Sequence, residues 1–181
     1  MKIFAETERL ILREIVPEDE AALFELDSDP AVHTFLGNNP VTHTEQIREI
    51  ILFIRRQYEA FGIGRWAMIE KTTGAFLGWS GLKYITETTN NHIHYYDLGY
   101  RLMRKYWGKG YATESALASV EYGFTILKQQ RLYAATHHLN QNSMHVLQKC
   151  GFRLWGTYED YGALQNWFVL TREDWESRMK T

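Results

Sequence analysis

Residues 97–127 read DLGYRLMRKYWGKGYATESALASVEYGFTIL, and this stretch decides the fold. Its first part is rich in β-forming residues and predicts a strand over residues 94–102. The turn WGKG follows at residues 107–110, and apolar residues at helical spacing then predict a helix over residues 111–127. Gly99 lies inside the strand, where a glycine indicates a bulge or a close backbone approach. The expected buried face of the helix comprises Ala112, Ala116, Leu117, Val120 and Phe124.

The turn between this strand and this helix has the properties of an anion-binding loop. Gly108 and Gly110 allow a tight turn whose N–H groups point into one concavity. The helix begins directly afterwards, so its unsatisfied N–H groups and positive dipole end lie at the same place. Such a nest suits a diphosphate, and Arg104, Lys105 and Lys109 add positive charge nearby. The pattern is neither a P-loop, which ends in Gly-Lys-Ser/Thr, nor the three-glycine dinucleotide fingerprint.

Outside this stretch, strands and helices follow one another irregularly. A short helix is expected from Pro17, and residues 42–45 have capping-box spacing before a longer helix that stops at Gly62. A last short helix follows Asn140 and ends with Gly151 at its C′ position. The order of elements predicts an α/β (α+β) fold, a mixed sheet of about seven strands with helices on its faces. The expected strands are residues 8–13, 65–69, 76–82, 94–102, 131–135, 152–158 and 167–171.

The composition limits the possible classes of protein. The chain has 181 residues, 45% of them hydrophobic and 23% charged, which fits one globular domain over residues 1–181. The formal net charge of −2 gives no nucleic-acid footprint, and the single cysteine, Cys150, excludes an internal disulfide. No apolar run reaches the roughly 18 residues of a membrane span, and Glu6, Glu8 and Arg9 interrupt any signal core. We therefore expect a cytoplasmic protein without a metal site, a membrane partner or direct contact with nucleic acid.

Three ordered blocks of sequence resemble the GNAT superfamily of N-acetyltransferases, specifically its RimJ/RimL-like branch. TERLILR at residues 7–13 is similar to the opening strand of that branch. DLGYRL at 97–102 with YWGKGYATE at 106–114 is similar to its acetyl-CoA motif, and NQNS at 140–143 with KCGF at 149–152 to its second motif. The resemblance covers nearly the whole chain. It implies a mostly antiparallel, twisted sheet and an N-acetyltransferase that uses acetyl-CoA as the acyl donor.

The resemblance also implies which residues contact acetyl-CoA. Backbone N–H groups of residues 108–112 are expected to bind the pyrophosphate, and Lys105 occupies a position where the superfamily has Arg or Gln. Leu102 and Met103 are expected to hold the pantetheine arm through backbone hydrogen bonds, as an added strand does. Ser143 is expected near the CoA sulfur. The implied set is Leu102, Met103, Lys105, Gly108, Lys109, Gly110, Tyr111, Ala112, Asn140 and Ser143.

Two side chains are candidates for acid–base chemistry. An amine attacks only after it loses a proton, and Asp97, at a position where many relatives carry an acid, is the candidate base. The alternative for Asp97 is a solvated residue at the start of the strand. Ser143 is the candidate acid for the departing thiolate, and its alternative role is a helix N-cap. Leu147 stands where many members of the superfamily have a tyrosine acid, and Glu114 needs no role beyond complementing the helix dipole.

The expected acceptor is a primary amine. It is either a protein N-terminus, such as that of a ribosomal protein, or a small molecule such as an amino acid or a polyamine. Phe35, Tyr58 and Phe61 are candidates for the acceptor side, because their helix and its preceding loop commonly border that site in the superfamily. Two alternatives stay open: an inactive CoA-binding sensor or scaffold on the same fold, and a general anion- or nucleotide-binding module. A homodimer is common among relatives.

Overall fold

The computed structural model describes residues 1–180, and over these residues one eight-stranded sheet is joined by five α-helices. The strands are β1 (Ile3–Glu6), β2 (Leu10–Glu14), β3 (Trp66–Glu70), β4 (Phe76–Ile85), β5 (Tyr95–Leu102), β6 (Arg131–His137), β7 (Arg153–Asp160) and β8 (Ala163–Thr171). The helices are α1 (Glu20–Ser28), α2 (Thr44–Phe61), α3 (Tyr111–Thr125), α4 (Gln141–Lys149) and α5 (Arg172–Met179). Short 3-10 turns, Pro17–Asp19 and Arg104–Tyr106, precede α1 and follow β5.

The strands lie side by side in the order β1-β2-β3-β4-β5-β6-β8-β7. Every neighbouring pair is antiparallel except β5 and β6, which are parallel. A single residue pair, Asp97 with Tyr133, joins these two strands. The predicted mixed, mostly antiparallel sheet is therefore confirmed, with eight strands over the described residues where about seven were expected. The unexpected strand is β1, whose four residues are too few to display a period-two pattern.

Helices cover both faces of the sheet, as predicted. α2 turns Ile47, Ile51 and Ile54 toward the sheet, and they pack with Leu23 and Leu26 of α1 into one core. Burial of one such side chain contributes about 1.5–3 kcal/mol, so this apolar face stabilises the packing of α1 and α2 on the sheet. The core on the opposite face includes Ala116, Val120, Phe124, Leu132 and Leu147 from α3, β6 and α4.

The start of α2 differs from the prediction by one residue. His43 is the N-cap, and the side-chain oxygen of Gln46 accepts hydrogen bonds from the N–H groups of His43 (3.0 Å) and Thr42 (2.8 Å). The predicted capping box of Thr42 with Glu45 is therefore wrong. Gln46 can serve because its amide oxygen reaches back to two consecutive N–H groups that the helix leaves unpaired.

The buried face of α3 also differs from the prediction. Leu117, expected in the core, is 46% exposed. Ser115 and Ser119 face the sheet instead and are fully buried. Their hydroxyls donate to the carbonyls of Ala112 (3.1 Å) and Ser115 (2.8 Å), so burying them leaves no unpaired donor. Such small side chains let the helix approach the strands closely.

Gly99 lies in β5 without a bulge, because the register pairs it directly with Gly81. A side chain at Gly99 would meet Arg65 Nη2 at 2.7 Å. A close approach to Gly99 is thus present, but the group that approaches is the Arg65 side chain rather than the expected backbone. After α4, Gly151 has φ of +96° and occupies the predicted C′ position. The last helix, α5, is anchored by Trp175, whose ring stacks on a core phenylalanine of α3 at 5.0 Å.

Candidate active site

The loop before α3 presents unbonded backbone N–H groups. Gly108 and Gly110 have φ of +72° and +84°, a conformation that glycine adopts without strain. Within residues 1–180, the N–H groups of residues 108–113 donate to no other group of the protein. They belong to the loop and the first turn of α3, where the helix dipole is positive. The loop can therefore bind an anion with several oxygens, such as a diphosphate.

Glu114 ties this loop to the start of the chain. Its carboxylate accepts hydrogen bonds from Thr7 Oγ1 (2.5 Å), the Arg9 N–H (2.9 Å) and Arg9 Nε (2.6 Å). Arg9 Nη1 also donates to the Lys109 carbonyl (2.9 Å). Burial acts to raise the pKa of Glu114, but the hydrogen bonds from Thr7 and Arg9 lower it below its ordinary value. Glu114 thus does more than complement the dipole. Its partners, Thr7 and Arg9, lie in the TERLILR block that the resemblance had already singled out.

The three cationic side chains near the loop are not equally available. Lys105 Nζ forms an ion pair with Glu25 of α1 (2.7 Å), and Arg104 Nε forms one with Asp29 (3.4 Å). Lys109 forms no ion pair with any residue in the described part of the chain. Lys109 is therefore the cation that is free to meet an anion at the glycine loop.

Beyond their single residue pair, β5 and β6 diverge and leave a gap in the sheet. The Met103 N–H donates to the Leu77 carbonyl (3.0 Å). Since amide groups alternate along an antiparallel strand, those of Tyr100 and Leu102 point the other way, into the gap. The Met103 carbonyl accepts from the Tyr106 N–H (2.9 Å). Both backbone groups of Met103 are thus bonded within the protein, whereas Leu102 offers a gap-facing amide.

The first turn of α4 borders the gap. Asn140 Oδ1 accepts from the Ser143 N–H (3.1 Å), so Asn140, rather than Ser143, is the N-cap. The Tyr100 hydroxyl lies 3.0 Å from both the Ser143 carbonyl oxygen and Ser143 Oγ, and it joins β5 to α4. Burial raises the pKa of Tyr100, so its hydroxyl stays a neutral donor. Leu147, at the position of the usual tyrosine acid, is buried in the core. The Tyr100 hydroxyl lies at the gap instead, and the sequence analysis did not single it out.

Asp97 lies on the opposite face of the sheet, because Leu98 next to it packs into the core under α3. Arg65 donates to the Asp97 carboxylate and, through Nη1, to the carbonyls of Asp97 (2.6 Å) and Gly81 (2.5 Å). The Asp97 side chain is 19% exposed, so the alternative of a solvated residue is wrong. Burial raises the pKa of Asp97 above its ordinary value, and the positive charges of Arg65 and Lys83 act against that rise.

On this face, α1 and the loop after it cover the gap. Arg101 of β5 forms an ion pair with Asp27 of α1 (2.5 Å). Phe35, in the loop after α1, packs against His137 at the end of β6, with ring centroids 5.4 Å apart and the rings tilted by 36°. Residues 27–35 therefore reach from β5 to β6. Phe35, predicted for the acceptor side, lies at the gap.

The other two aromatic candidates make structural contacts. Tyr58 donates to the Arg65 carbonyl and accepts from the Ile15 N–H (3.0 Å). Phe61, at the end of α2, packs against Tyr84 with ring centroids 5.1 Å apart. Tyr58 thus fixes the backbone of the residue that holds Asp97, without lying at the gap itself.

Comparison with known proteins identifies the family. Residues 9–153 match the family model described as the acetyltransferase (GNAT) domain. The chain belongs to the GNAT acetyltransferase family. A curated relative of this acetyltransferase is the uncharacterized N-acetyltransferase p20 of Bacillus licheniformis. The two are 32% identical over 155 residues, which cover 86% of this chain and 85% of the relative. The prediction of an N-acetyltransferase is confirmed. The RimJ/RimL-like branch stays a prediction, because most of the curated relatives bear general names.

Solved GNAT structures share the fold of this acetyltransferase. RimL, the ribosomal L7/L12 alpha-N-protein acetyltransferase, solved with CoA, has a TM-score of 0.79 at 19% identity, covering 94% of this chain and 98% of that one. Spermidine N-acetyltransferase from Vibrio cholerae, solved with CoA and spermine, has a TM-score of 0.74 at 16% identity, covering 94% and 99%. The acceptors that these two names give differ, so the fold does not select the amine.

Three other features of this acetyltransferase bear on its chemistry. Among the described residues, no group of three or more His, Cys, Asp or Glu is arranged to hold a metal ion. No helix in residues 1–180 has the length and apolar character to cross a bilayer. Cys150 is buried, and burial raises the pKa of its thiol to about 12. A thiol in that state is a packing group rather than a nucleophile.

Proposed function

We propose that this acetyltransferase moves the acetyl group of acetyl-CoA directly to a primary amine, with the reaction in the gap between β5 and β6. The observation that carries the proposal is the row of unbonded N–H groups at residues 108–113, beside the open end of that gap. A diphosphate held there directs the arm that follows it along the free edge of β5. The solved structures of RimL and spermidine N-acetyltransferase, both with CoA, support this assignment.

Groups of this chain match each part of the CoA molecule. The N–H groups of residues 108–112, with Lys109, hold the pyrophosphate. The Trp107 indole donates to the Leu102 carbonyl (2.8 Å), which leaves the Leu102 N–H to hold the pantetheine arm. Asn140 uses its side-chain oxygen to cap α4, so its amide N–H group is left for a pantetheine carbonyl.

The proton transfers fall to Asp97 and Ser143. Asp97 accepts a proton from the bound ammonium, directly or through a water molecule, and its raised pKa suits a base. The amine then attacks the thioester carbonyl, whose oxygen accepts a hydrogen bond from the gap-facing N–H of Tyr100 or Leu102 as negative charge develops. The C–N bond forms, the C–S bond breaks, and the nitrogen loses its second proton, which replaces, through water, the proton that Ser143 gives to the sulfur. Ser143 Oγ donates to the departing sulfur, a thiolate of pKa about 8–9 that needs only modest help.

The acceptor class of this proposal includes a protein N-terminus, such as that of a ribosomal protein, and small-molecule amines. A free-thiol assay with acetyl-CoA over peptides, amino acids and polyamines measures which of them supports transfer. Thiol release that depends on the amine is the expected result.

Gly110→Asp tests the placement of the diphosphate. The substitution puts a carboxylate among the unbonded N–H groups, and we expect it to abolish CoA binding in calorimetry through charge repulsion. Gly162→Asp is the matched control, since Gly162 also has a positive φ (+77°), lies in the β7–β8 turn and has no atom within 4 Å of an added Cβ. Both variants carry similar backbone strain and the same added charge. A difference in CoA affinity between them therefore reports the position of the added carboxylate.

Three outcomes would contradict parts of this proposal. Unchanged CoA affinity in Gly110→Asp would remove the diphosphate from the glycine loop. Tight CoA binding without thiol release from any amine would identify a CoA-binding sensor. Equal affinity for ATP and CoA would identify a general nucleotide-binding module, because only CoA offers a pantetheine arm to Leu102.

A further inference from the structure

Two residues with almost no side chain flank the gap on the face under α1. Gly99 on β5 and Ala135 on β6 lie two positions beyond the pair that joins the strands. Ala135 is exposed, although it sits on an inner strand and pairs with the buried Trp167 of β8. The exposure of Ala135 shows that the sheet is uncovered at this position, and we call the space over Ala135 the cavity. The space over Gly99 is taken by the guanidinium of Arg65.

Buried polar atoms without hydrogen-bond partners lie in β5 and in the loop after α1. In the described part of the chain, Arg101 Nε and both ring nitrogens of His33 are buried without a hydrogen-bond partner. His33 is 6% exposed, and its Nε2 lies 3.9 Å from the Asp27 carboxylate. Burial lowers the pKa of His33, so its ring is neutral near pH 7 and supplies one N–H donor. Buried polar atoms usually have partners, so this cluster fits a polar ligand group.

The guanidinium of Arg101 has one nitrogen left for a ligand. It donates to Asp27 through Nη1, and no other acceptor in residues 1–180 bonds to it. Nε is buried, so Nη2 is the nitrogen that a ligand oxygen can reach, with one charge-assisted hydrogen bond. The Arg101 side chain is 21% exposed. Its ion pair with Asp27 fixes the orientation of the guanidinium.

A second donor lies across the gap, on β6. His137 Nδ1 accepts a hydrogen bond from the Leu139 N–H (3.2 Å), so in the neutral ring the proton is on Nε2. Alternation along the strand puts His137 on the same face as Ala135, and its ring is held by Phe35. His137 therefore faces the cavity as a hydrogen-bond donor rather than as a base.

The carboxylates of α1, of the residue after it and of β5 are already paired. Asp27, Asp29 and Asp97 each form an ion pair with an arginine. Asp160, at the end of β7, lies on the same face and forms no ion pair with a described residue. A polyamine needs carboxylates or carbonyls for its second ammonium group, whereas the free groups of Arg101 and His137, which flank the gap, are donors. Donors at the mouth of the cavity fit an oxygen anion.

We propose that the acceptor is an amine that also carries a carboxylate, as an amino acid does, with the carboxylate bound by Arg101 and His137 and the amine directed to the uncovered floor at Ala135, across the gap from Asp97. This inference rests on the proposed acetyl transfer. It names the chemistry of the acceptor, which the fold alone leaves open. The slim floor admits the amine, and the donors at the mouth hold the other end of the molecule.

Pairs of amines that differ only by a carboxylate test the inference. We expect kcat/KM for L-phenylalanine to exceed that for 2-phenylethylamine, and that for L-lysine to exceed that for cadaverine, by at least about tenfold. Thiol release from acetyl-CoA is the readout. Arg101→Gln should lower kcat/KM for the amino acids at least about tenfold, mainly through KM, and leave the decarboxylated amines nearly unchanged.

A second variant guards against a folding defect, because Arg101→Gln leaves Asp27 buried without its partner. His137→Phe does not touch that ion pair and keeps a ring for Phe35 to pack against. It should produce the same selective loss. Equal use of both members of each amine pair, or of peptides that lack a nearby carboxylate, would overturn the carboxylate site while leaving acetyl transfer intact. Absence of thiol release from every amine, despite CoA binding, would overturn both proposals.

Discussion

At the scale of single residues, Tyr100 joins β5 to α4 through one hydroxyl, 3.0 Å from Ser143 Oγ. Tyr100→Phe removes that hydroxyl and leaves the ring in place. We expect kcat for thiol release to fall about tenfold, because Ser143 loses the partner that orients it toward the departing sulfur. Tyr96→Phe is the matched control, since Tyr96 packs on the same core and its hydroxyl makes no hydrogen bond in residues 1–180. Similar kcat values in the two variants, measured at saturating acetyl-CoA, would remove Tyr100 from the site.

Sequence patterns predicted some of the residues at the site but not their partners. Gly108 and Gly110 were predictable because a tight turn before a helix needs positive φ, which favours glycine. Arg65 was not, since it precedes Asp97 by 32 residues and meets it only once β3, β4 and β5 are paired. Tyr100 likewise meets α4 only through a contact 43 residues along the chain. Local spacing contains no information about such distant contacts.

At the scale of elements, Glu114 holds the first turn of α3 to the β1–β2 connection. Its pKa is lowered in the folded protein, so its stabilising contribution is present above its unfolded pKa of about 4.3 and is lost as pH falls through the folded value. We expect Glu114→Gln to lower the free energy of unfolding by about 1–2 kcal/mol at pH 7. The deficit relative to wild type should shrink between about pH 5 and pH 3, as measured by urea unfolding at each pH.

Glu121→Gln is the control for this element, because Glu121 is exposed on the same helix. A deficit in Glu114→Gln that is the same at pH 3 and pH 7, or one matched by Glu121→Gln, would contradict the role of the carboxylate. The helices themselves were predictable from their apolar periodicity, as α2 and α3 illustrate. Their details depended on neighbours: Gln46 supplied the cap of α2, and the sheet selected serines rather than Leu117 for the inner face of α3.

At the scale of the whole molecule, acetyl-CoA and the acceptor approach the gap from opposite faces in our proposal. Both must be bound at once, so initial-velocity lines for the two substrates should intersect. Ala135→Leu fills the floor on the acceptor face. Because Ala135 is exposed, we expect thermal stability and CoA affinity to be little changed, while transfer to the amine falls at least about tenfold. Parallel lines, or full activity in Ala135→Leu, would contradict two-sided entry.

The order of strands was the part of the fold that the sequence did not predict. Residues 152–158 and 167–171 were expected as two strands, and β7 and β8 pair as a hairpin. Yet β8, the later strand, is the one that pairs with β6 and leaves β7 at the edge. The burial of β8 and the exposure of β7 agree with this placement, with Phe168 at 1% and Trp155 at 67%. Aromatic content alone could not distinguish the two strands, because both carry large rings.

The sparse pairing of β5 with β6 gives this sheet two edges in its interior as well as two at its ends. An exposed edge normally invites another polypeptide to add to it. Here α4 stands before one side of the opening and the segment around Phe35 before the other. In our proposal the thin, flexible pantetheine arm lies along this edge, so the place of a ninth strand is taken by a molecule that is not made of amino acids.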